Sequence, residues 1–151
     1  MGTHYKGPRD ITQALDAYIK LVRASESVTS RVIRHLEDDG LTVSQFGVLE
    51  ALFHLGPKSQ RELAEKILKS GGNVTMVIDN LEKRGLVKRE RDKEDRRLYR
   101  VTLTPAGRKL IKNIFPRHAK KIASQMNLLT KEELKELGDL CRKLGLQQAA
   151  G

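Results

Sequence analysis

The hydrophobic period of this chain changes from helical to alternating at Gly85, and that change limits what can fold there. Before it, Val74, Val77, Ile78 and Leu81 recur at helical spacing. After it, Leu86-Val87-Lys88-Arg89-Glu90-Arg91 reads as a strand, and Leu98, Arg100, Thr102 alternate with Tyr99, Val101, Leu103 in a second. The first pattern predicts a helix with one buried face, and the second predicts half-buried strands. Between the strands lies Asp92-Lys93-Glu94-Asp95-Arg96-Arg97, a highly charged tip. A β-hairpin with a long loop therefore follows directly on a helix that Gly85 stops. Leu86 supplies the hydrophobic contact of a Schellman-type end.

Capping signals divide the rest. Residues 10–38 form one long helix without Pro or Gly, with Ile11, Leu15, Tyr18, Val22, Val32 and Leu36 in its main pattern and Leu21 and Ile33 on other faces. Asp38-Asp39-Gly40 supplies the stop. Thr42-Val43-Ser44-Gln45 has capping-box form and opens a helix over about 44–55, which Gly56-Pro57 ends. Ser59-Gln60-Arg61-Glu62 is a second box and opens a short helix through Lys66. Ser70-Gly71-Gly72-Asn73 breaks the chain before the helix that runs to Arg84. Two short helices joined by a tight turn are a helix-turn-helix, and the hairpin behind it is a wing. Downstream, Thr104-Pro105 reads as N-cap and N1 of a fifth helix, which Pro116 should kink or divide. Thr130-Lys131-Glu132-Glu133 opens a last helix that Gly145 ends. The tails 1–9 and 146–151 are expected to be disordered.

The predicted fold is mainly α with a small β-hairpin wing: a winged helix-turn-helix over 44–104, flanked by dimerisation helices at 10–38 and 105–145. Burial against a second copy follows from apolar faces too numerous for one small core. Only 38% of the 151 residues are hydrophobic, and there is no Trp. Ile11, Leu15, Leu134, Leu137, Leu140 and Leu144 are the candidate dimerisation residues. No run of about 18 apolar residues exists to span a membrane. The N-terminus lacks an apolar export signal, so a cytoplasmic protein is expected. One cysteine, Cys141, excludes an internal disulfide and a multi-Cys zinc site; on the apolar stripe of the last helix it is expected to be buried. Four scattered histidines show no ligand spacing. No metal or cofactor is expected, and no paired carboxylates or nucleophile–base pair point to an enzyme.

The net charge of +10 is unevenly spread. Residues 1–43 are balanced, whereas 83–100 hold nine basic and four acidic side chains. Such a field attracts polyanions. In a helix-turn-helix the second helix places its N-terminal residues on base edges in the major groove. Those residues are Ser70, Gly71, Gly72, Asn73 and Thr75, small or hydrogen-bonding. Ser59, Gln60, Arg61, Lys83 and Arg84 are candidates for phosphate contacts. Arg89, Arg91, Lys93, Arg96 and Arg97 cluster at the hairpin, where packing does not require them. A thin hairpin can place one Arg in a minor groove, and Asp95 stands where it can pair with Arg97 and order the tip. Double-stranded DNA is the implied partner.

Residues 44–107 resemble the MarR family of bacterial winged-helix regulators. The resemblance is carried by Gln60-Arg61-Glu62-Leu63-Ala64, by Val74-Thr75-Met76-Val77-Ile78-Asp79-Asn80-Leu81-Glu82-Lys83-Arg84-Gly85-Leu86-Val87, and by Asp95-Arg96-Arg97 leading to Val101-Thr102-Leu103-Thr104-Pro105-Ala106-Gly107. The last resembles the family's Asp-x-Arg wing signature. The resemblance implies a triangular homodimer on a palindromic operator, with Asp95 orienting the wing and Arg97 entering the minor groove. It implies a repressor released by a signal. One class in the family uses a reactive Cys near the start of the first helix, and none stands there. The other binds small aromatic or phenolic acids, for which Tyr18, Val22, His35, Phe46, Leu49, Phe53, Met76, Phe115 and Arg117 are the candidates. A second similarity runs through Leu41 to Leu52 and Phe115-Pro116-Arg117-His118, to Bacillus-type repressors of quinone and aromatic-compound detoxification genes. The rival readings are a non-specific architectural DNA-binding protein and a protein-interaction winged helix.

Overall fold

The computed structural model describes residues 2–67 and 71–149. Its elements run α1 (Arg9–Asp38), α2 (Val43–Leu55), β1 (Lys58–Ser59), α3 (Gln60–Ile67), α4 (Gly71–Lys83), β2 (Val87–Arg91), β3 (Tyr99–Leu103), α5 (Pro105–Met126) and α6 (Lys131–Ala149). The mainly helical winged fold is as predicted, with additions that local pattern does not carry. The sheet has three antiparallel strands in the order β1-β3-β2. The two-residue β1 pairs Lys58 with Val101 and Ser59 with Arg100. It is too short to show alternation.

Helix ends follow the capping chemistry. Gly40 has a φ of 73°, and the Gly40 and Leu41 N–H groups donate to Glu37 and Leu36 carbonyls. Gly85 (φ 70°) and Leu86 repeat this arrangement on Glu82 and Leu81. Both are Schellman ends, in which a residue at positive φ turns the chain back. Thr42 and Gln45 form the full capping box, as do Thr130 and Glu133. At Ser59 only half of the box forms. Its Oγ accepts the Glu62 N–H, while the Glu62 carboxylate lies 3.9 Å from Lys58 Nζ.

Three expectations are corrected and one is narrowed. Of the two outcomes expected at Pro116, a kink or a division, division is excluded, because α5 runs unbroken through it. A proline there removes one bond to the Lys112 carbonyl. Ile114 and His118, buried on either side, hold the turn in place. α6 continues through Gly145 to Ala149, so residues 146–149 belong to a helix. One helical glycine costs about 1 kcal/mol, too little to stop a helix without a turn signal. α4 already begins at Gly71, so the two glycines form its first turn and do not break the chain. Cys141 is exposed, as are its helix neighbours Leu140 and Leu144.

The fully buried core extends only from Leu36 to Ile114. It is built from the end of α1, from α2, α3 and α4, from the sheet, and from the first half of α5. Along α1, Ile11, Tyr18 and Leu21 are exposed; along α6, Leu140 and Leu144 are.

Gly107 sits where α5 crosses the Leu86 carbonyl, and a Cβ there would collide with that backbone oxygen. Backbone cannot yield as a side-chain tip can. Gly107→Ala is therefore expected to lose about 3 kcal/mol of stability. Urea unfolding checks this, and an unchanged midpoint would show that the crossing relaxes freely.

Candidate nucleic-acid interface

α4 buries Val74, Ile78 and Leu81 and leaves Asn73, Thr75, Met76, Asn80 and Lys83 exposed. Of the predicted base-reading residues, Ser70 lies outside the described residues. Gly71, Gly72, Asn73 and Thr75 all fall in the first half of α4. Gln60, the first residue of α3, reaches across to them: its Nε2 donates to Thr75 Oγ1 at 2.9 Å. Its Oε1 accepts from Arg89 Nε at 3.1 Å. Gln60 thus ties the two helices and the wing together. Arg61 beside it is exposed.

Arg89 leaves the tip cluster. Its guanidinium donates to Asp79 at 2.7 Å and to Glu82 at 3.0 Å, with only 21% of its side chain exposed. The signal was strand parity, since Arg89 shares its strand face with buried Val87. The effect is electrostatic. Two carboxylates on α4 would repel a polyanion, and one partly buried guanidinium holds both toward the strand.

The other candidate phosphate-contact residues divide. Lys83 ends α4 in solvent. Arg84 donates to the Gly40 carbonyl at 2.8 Å and ties α4 to the end of α1.

The wing tip is built on a residue that sequence reasoning missed. Asp92 is 8% exposed. Its Oδ1 accepts the N–H groups of Glu94 and Asp95, and its Oδ2 accepts from Arg100 Nε at 2.5 Å. Its own N–H donates to Leu98, and Leu98 N–H to Asp95, closing the loop. The Arg100 hydrogen bond, then the two N–H groups, hold the Asp92 carboxyl below its ordinary value. An aspartate two residues before a turn N–H is an Asx signal, so this role was legible. Asp95, positioned by that frame, accepts from the Arg97 N–H at 3.1 Å and from Arg97 Nε at 3.4 Å. The Arg97 side chain is nevertheless 92% exposed. Arg91 donates to the Arg96 carbonyl and lies over the Tyr99 ring, 5.2 Å from its centroid. Lys93 and Arg96 are exposed.

Most of the effector candidates are not brought together; Phe46, Phe115 and His35 gather around His118 and the rest lie apart. Tyr18 is exposed on α1, with Val22 half-buried a turn later. Met76 stands on the outer face of α4, and Leu49 is fully buried in the core. Arg117 is paired with Asp39 at 3.1 Å. Phe53 lies under Arg108, 5.9 Å from its ring centroid. Phe46 alone of the set lines a groove of about 580 Å³ with Val32, Gly47, His54, Ile67 and His118. Phe115 stacks behind Phe46 at 6.5 Å. The His118 ring centre is 4.1 Å from that of Phe46. Burial, and then the charge of His35, push the His118 pKa down, so the ring is neutral near pH 7. Its Nδ1 and the Nε2 of His35 have no hydrogen-bond partner among the described residues.

Comparisons with known proteins agree with this geometry. The MarR family model matches residues 41–99. The HTH-type transcriptional regulator MhqR of Bacillus subtilis is 33% identical over 134 residues, covering 89% of this chain and 92% of MhqR. AbsC, a MarR family transcriptional regulator from Streptomyces coelicolor, superposes with a TM-score of 0.86 at 22% identity, covering 97% of this chain and all of that one. BpsR of Bordetella bronchiseptica, whose DNA binding is regulated by 6-hydroxynicotinic acid, superposes at 0.77 with 29% identity, covering 96% and 98%. With its exposed helix, its ordered basic wing and these relatives, the chain belongs to the MarR family of DNA-binding transcriptional regulators.

Proposed function

We propose that the protein is a homodimeric, sequence-specific repressor acting in the cytoplasm on a palindromic operator. α4 enters the major groove, and Arg97 enters the adjacent minor groove. The observation that carries this reading is Arg97 itself, which is 92% exposed yet held at its root by Asp95. A solvated charge needs no such frame, whereas a minor-groove guanidinium must arrive in a fixed place. Arg61 and Lys83 supply phosphate contacts on either side. Gln60 and Arg84 serve by orienting α3 and α4. The exposed apolar residues of α1 and α6 meet those of a second copy, which supplies the burial that one protomer lacks.

The groove beside Phe46 and His118 takes a small aromatic effector such as a phenol or aromatic acid. Phe46 and His118 line it together, and His118 Nδ1, without a hydrogen-bond partner among the described residues, is left to pair with a phenolic or carboxylic group. BpsR, whose DNA binding is regulated by 6-hydroxynicotinic acid, supports this class. Occupancy of a groove walled by α1, α2, α3 and α5 changes the spacing of the two reading heads.

Arg97→Ala is expected to weaken operator binding by about tenfold or more while the dimer persists. A gel-shift titration against upstream intergenic DNA and a shuffled control measures it. Equal affinity of variant and wild type would remove Arg97 from the interface.

Leu140→Glu combined with Leu144→Glu is expected to give a folded monomer, because both side chains are exposed within the protomer. Sedimentation would report half the wild-type mass with helical circular dichroism retained. An unchanged mass would place the dimer contact elsewhere.

The wing carries a pH dependence of definite sign. The Asp92 carboxyl is held below its ordinary 3.8 by Arg100 and two N–H groups. Its ordering effect is therefore present above 3.8 and is lost as pH falls through the lower folded value. Amide exchange at Glu94 and Asp95 should show protection at neutral pH that disappears below that range. In Asp92→Asn protection should be weak throughout. Protection in the variant equal to wild type would mean that the turn holds without the carboxylate.

A further inference from the structure

α4 presents an outer face of unusual composition for a helix that approaches a polyanion. Asn73, Met76, Asn80 and Lys83 succeed one another at steps of three and four, so they share that face. All four are exposed, and Met76 is 63% exposed although it is the large apolar residue of the set. The helix has an apolar seam on its other side, where Val74, Ile78 and Leu81 are buried. Met76 contributes nothing to that seam. The acidic residues of the helix do not share its surroundings either, because Asp79 and Glu82 are drawn to Arg89 at 2.7 and 3.0 Å. A neutral thioether flanked by two carboxamides is what α4 offers to the groove.

In the major groove one base alone carries an apolar group at its edge, the C5-methyl of thymine. A methionine side chain is unbranched and polarisable, and it adapts to such a methyl without demanding an exact position. Asn is the residue type that pairs with N6 and N7 of adenine, the base opposite thymine. Resting on the proposed placement of α4 in the major groove, we propose that Met76 is a specificity-determining residue: it packs on a thymine C5-methyl in each half-site and selects an A·T pair there.

The test uses the full-length protein and deoxyuridine, which lacks only that methyl. A high-affinity duplex is first selected by the protein from random DNA. Each thymine of its half-sites is then replaced in turn by deoxyuridine, and affinity is measured for wild type, Met76→Ala and Met76→Gln. Loss of one buried methyl is worth about fourfold per half-site. The expected result is one half-site position where deoxyuridine weakens wild type by about that factor and leaves both variants unaffected. Because Met76 is exposed, neither variant disturbs the core. Equal losses for all three proteins at every position would overturn the role of Met76 while leaving the DNA-binding reading intact. Failure to enrich any sequence would overturn that reading, and this one with it.

Discussion

The junction at Gly85 and Leu86 sets the position of everything that follows. α4 ends there, β2 begins one residue later, and the chain returns to the same place after the hairpin. Thr104 closes the crossing. Its N–H donates to the Leu86 carbonyl, its hydroxyl donates to the Gly85 carbonyl at 2.6 Å, and the same hydroxyl accepts the Gly107 N–H at 3.0 Å. One side chain thereby caps α5 and fastens it to the end of α4. The glycine at 107 is required because α5 passes directly over the Leu86 oxygen. The angle between α4, the wing and α5 is thus set by hydrogen bonds that join backbone groups of all three through one threonine.

From that junction the charge arrangement follows. β2 leaves it with Val87 facing the core, so Arg89 must face the same way, toward Asp79 and Glu82 on α4. The hairpin that carries cations outward also returns one inward to neutralise the acids on the exposed helix. Farther out, the strand exchanges packing for polar order. Asp92 gathers two N–H groups and Arg100, and Asp95 gathers Arg97. Each step transfers rigidity one residue farther from the core, ending on a guanidinium that is almost wholly solvated.

Sequence pattern made most of this legible because helix ends and strand parity are local matters. Gly40, Gly85, Thr42 and Thr130 each act within about a turn of their own position, as does the capping of Gly107 by Thr104, and these roles could be read directly, whereas the bonds of Thr104 to Gly85 and Leu86 could not. Asp95 with Arg97 was legible for the same reason. What escaped depended on distance along the chain. β1 pairs residues about forty apart and is two residues long. Gln60 meets Thr75 and Arg89 across three elements. Pro116 and Gly145 look like breakers locally, yet the helix runs through both. Effector candidates chosen by residue type scattered for a related reason: helical spacing says which residues share a face, but not whether that face meets a groove, the core or solvent. Met76 is the clearest case. As an apolar residue it suggested a lining, and the structure places it outward.

The long helix α1 joins the two ends of this arrangement. Its last turn is held to the winged unit by buried Leu36, by Arg84 on the Gly40 carbonyl and by Arg117 on Asp39. Its earlier turns contribute no fully buried apolar residue. The groove beside Phe46 and His118 opens at the firmly held end, under Val32. On the proposed reading, a ligand there acts where a small rotation of α1 relative to α2 is carried along the remaining length of a thirty-residue helix. At about 1.5 Å per residue, that lever reaches some 30 Å from the groove, into the region assigned to the second copy. Ligand need not contact DNA or the dimer interface to alter head spacing. It needs only to bind one setting of the α1–α2 angle more tightly than the other, and a shift from mostly bound to mostly released operator requires that preference to approach 10⁴-fold if the ligand acts alone. Two identical grooves in a dimer divide that requirement to about a hundredfold each, a preference that a buried ring stack and one hydrogen bond can supply.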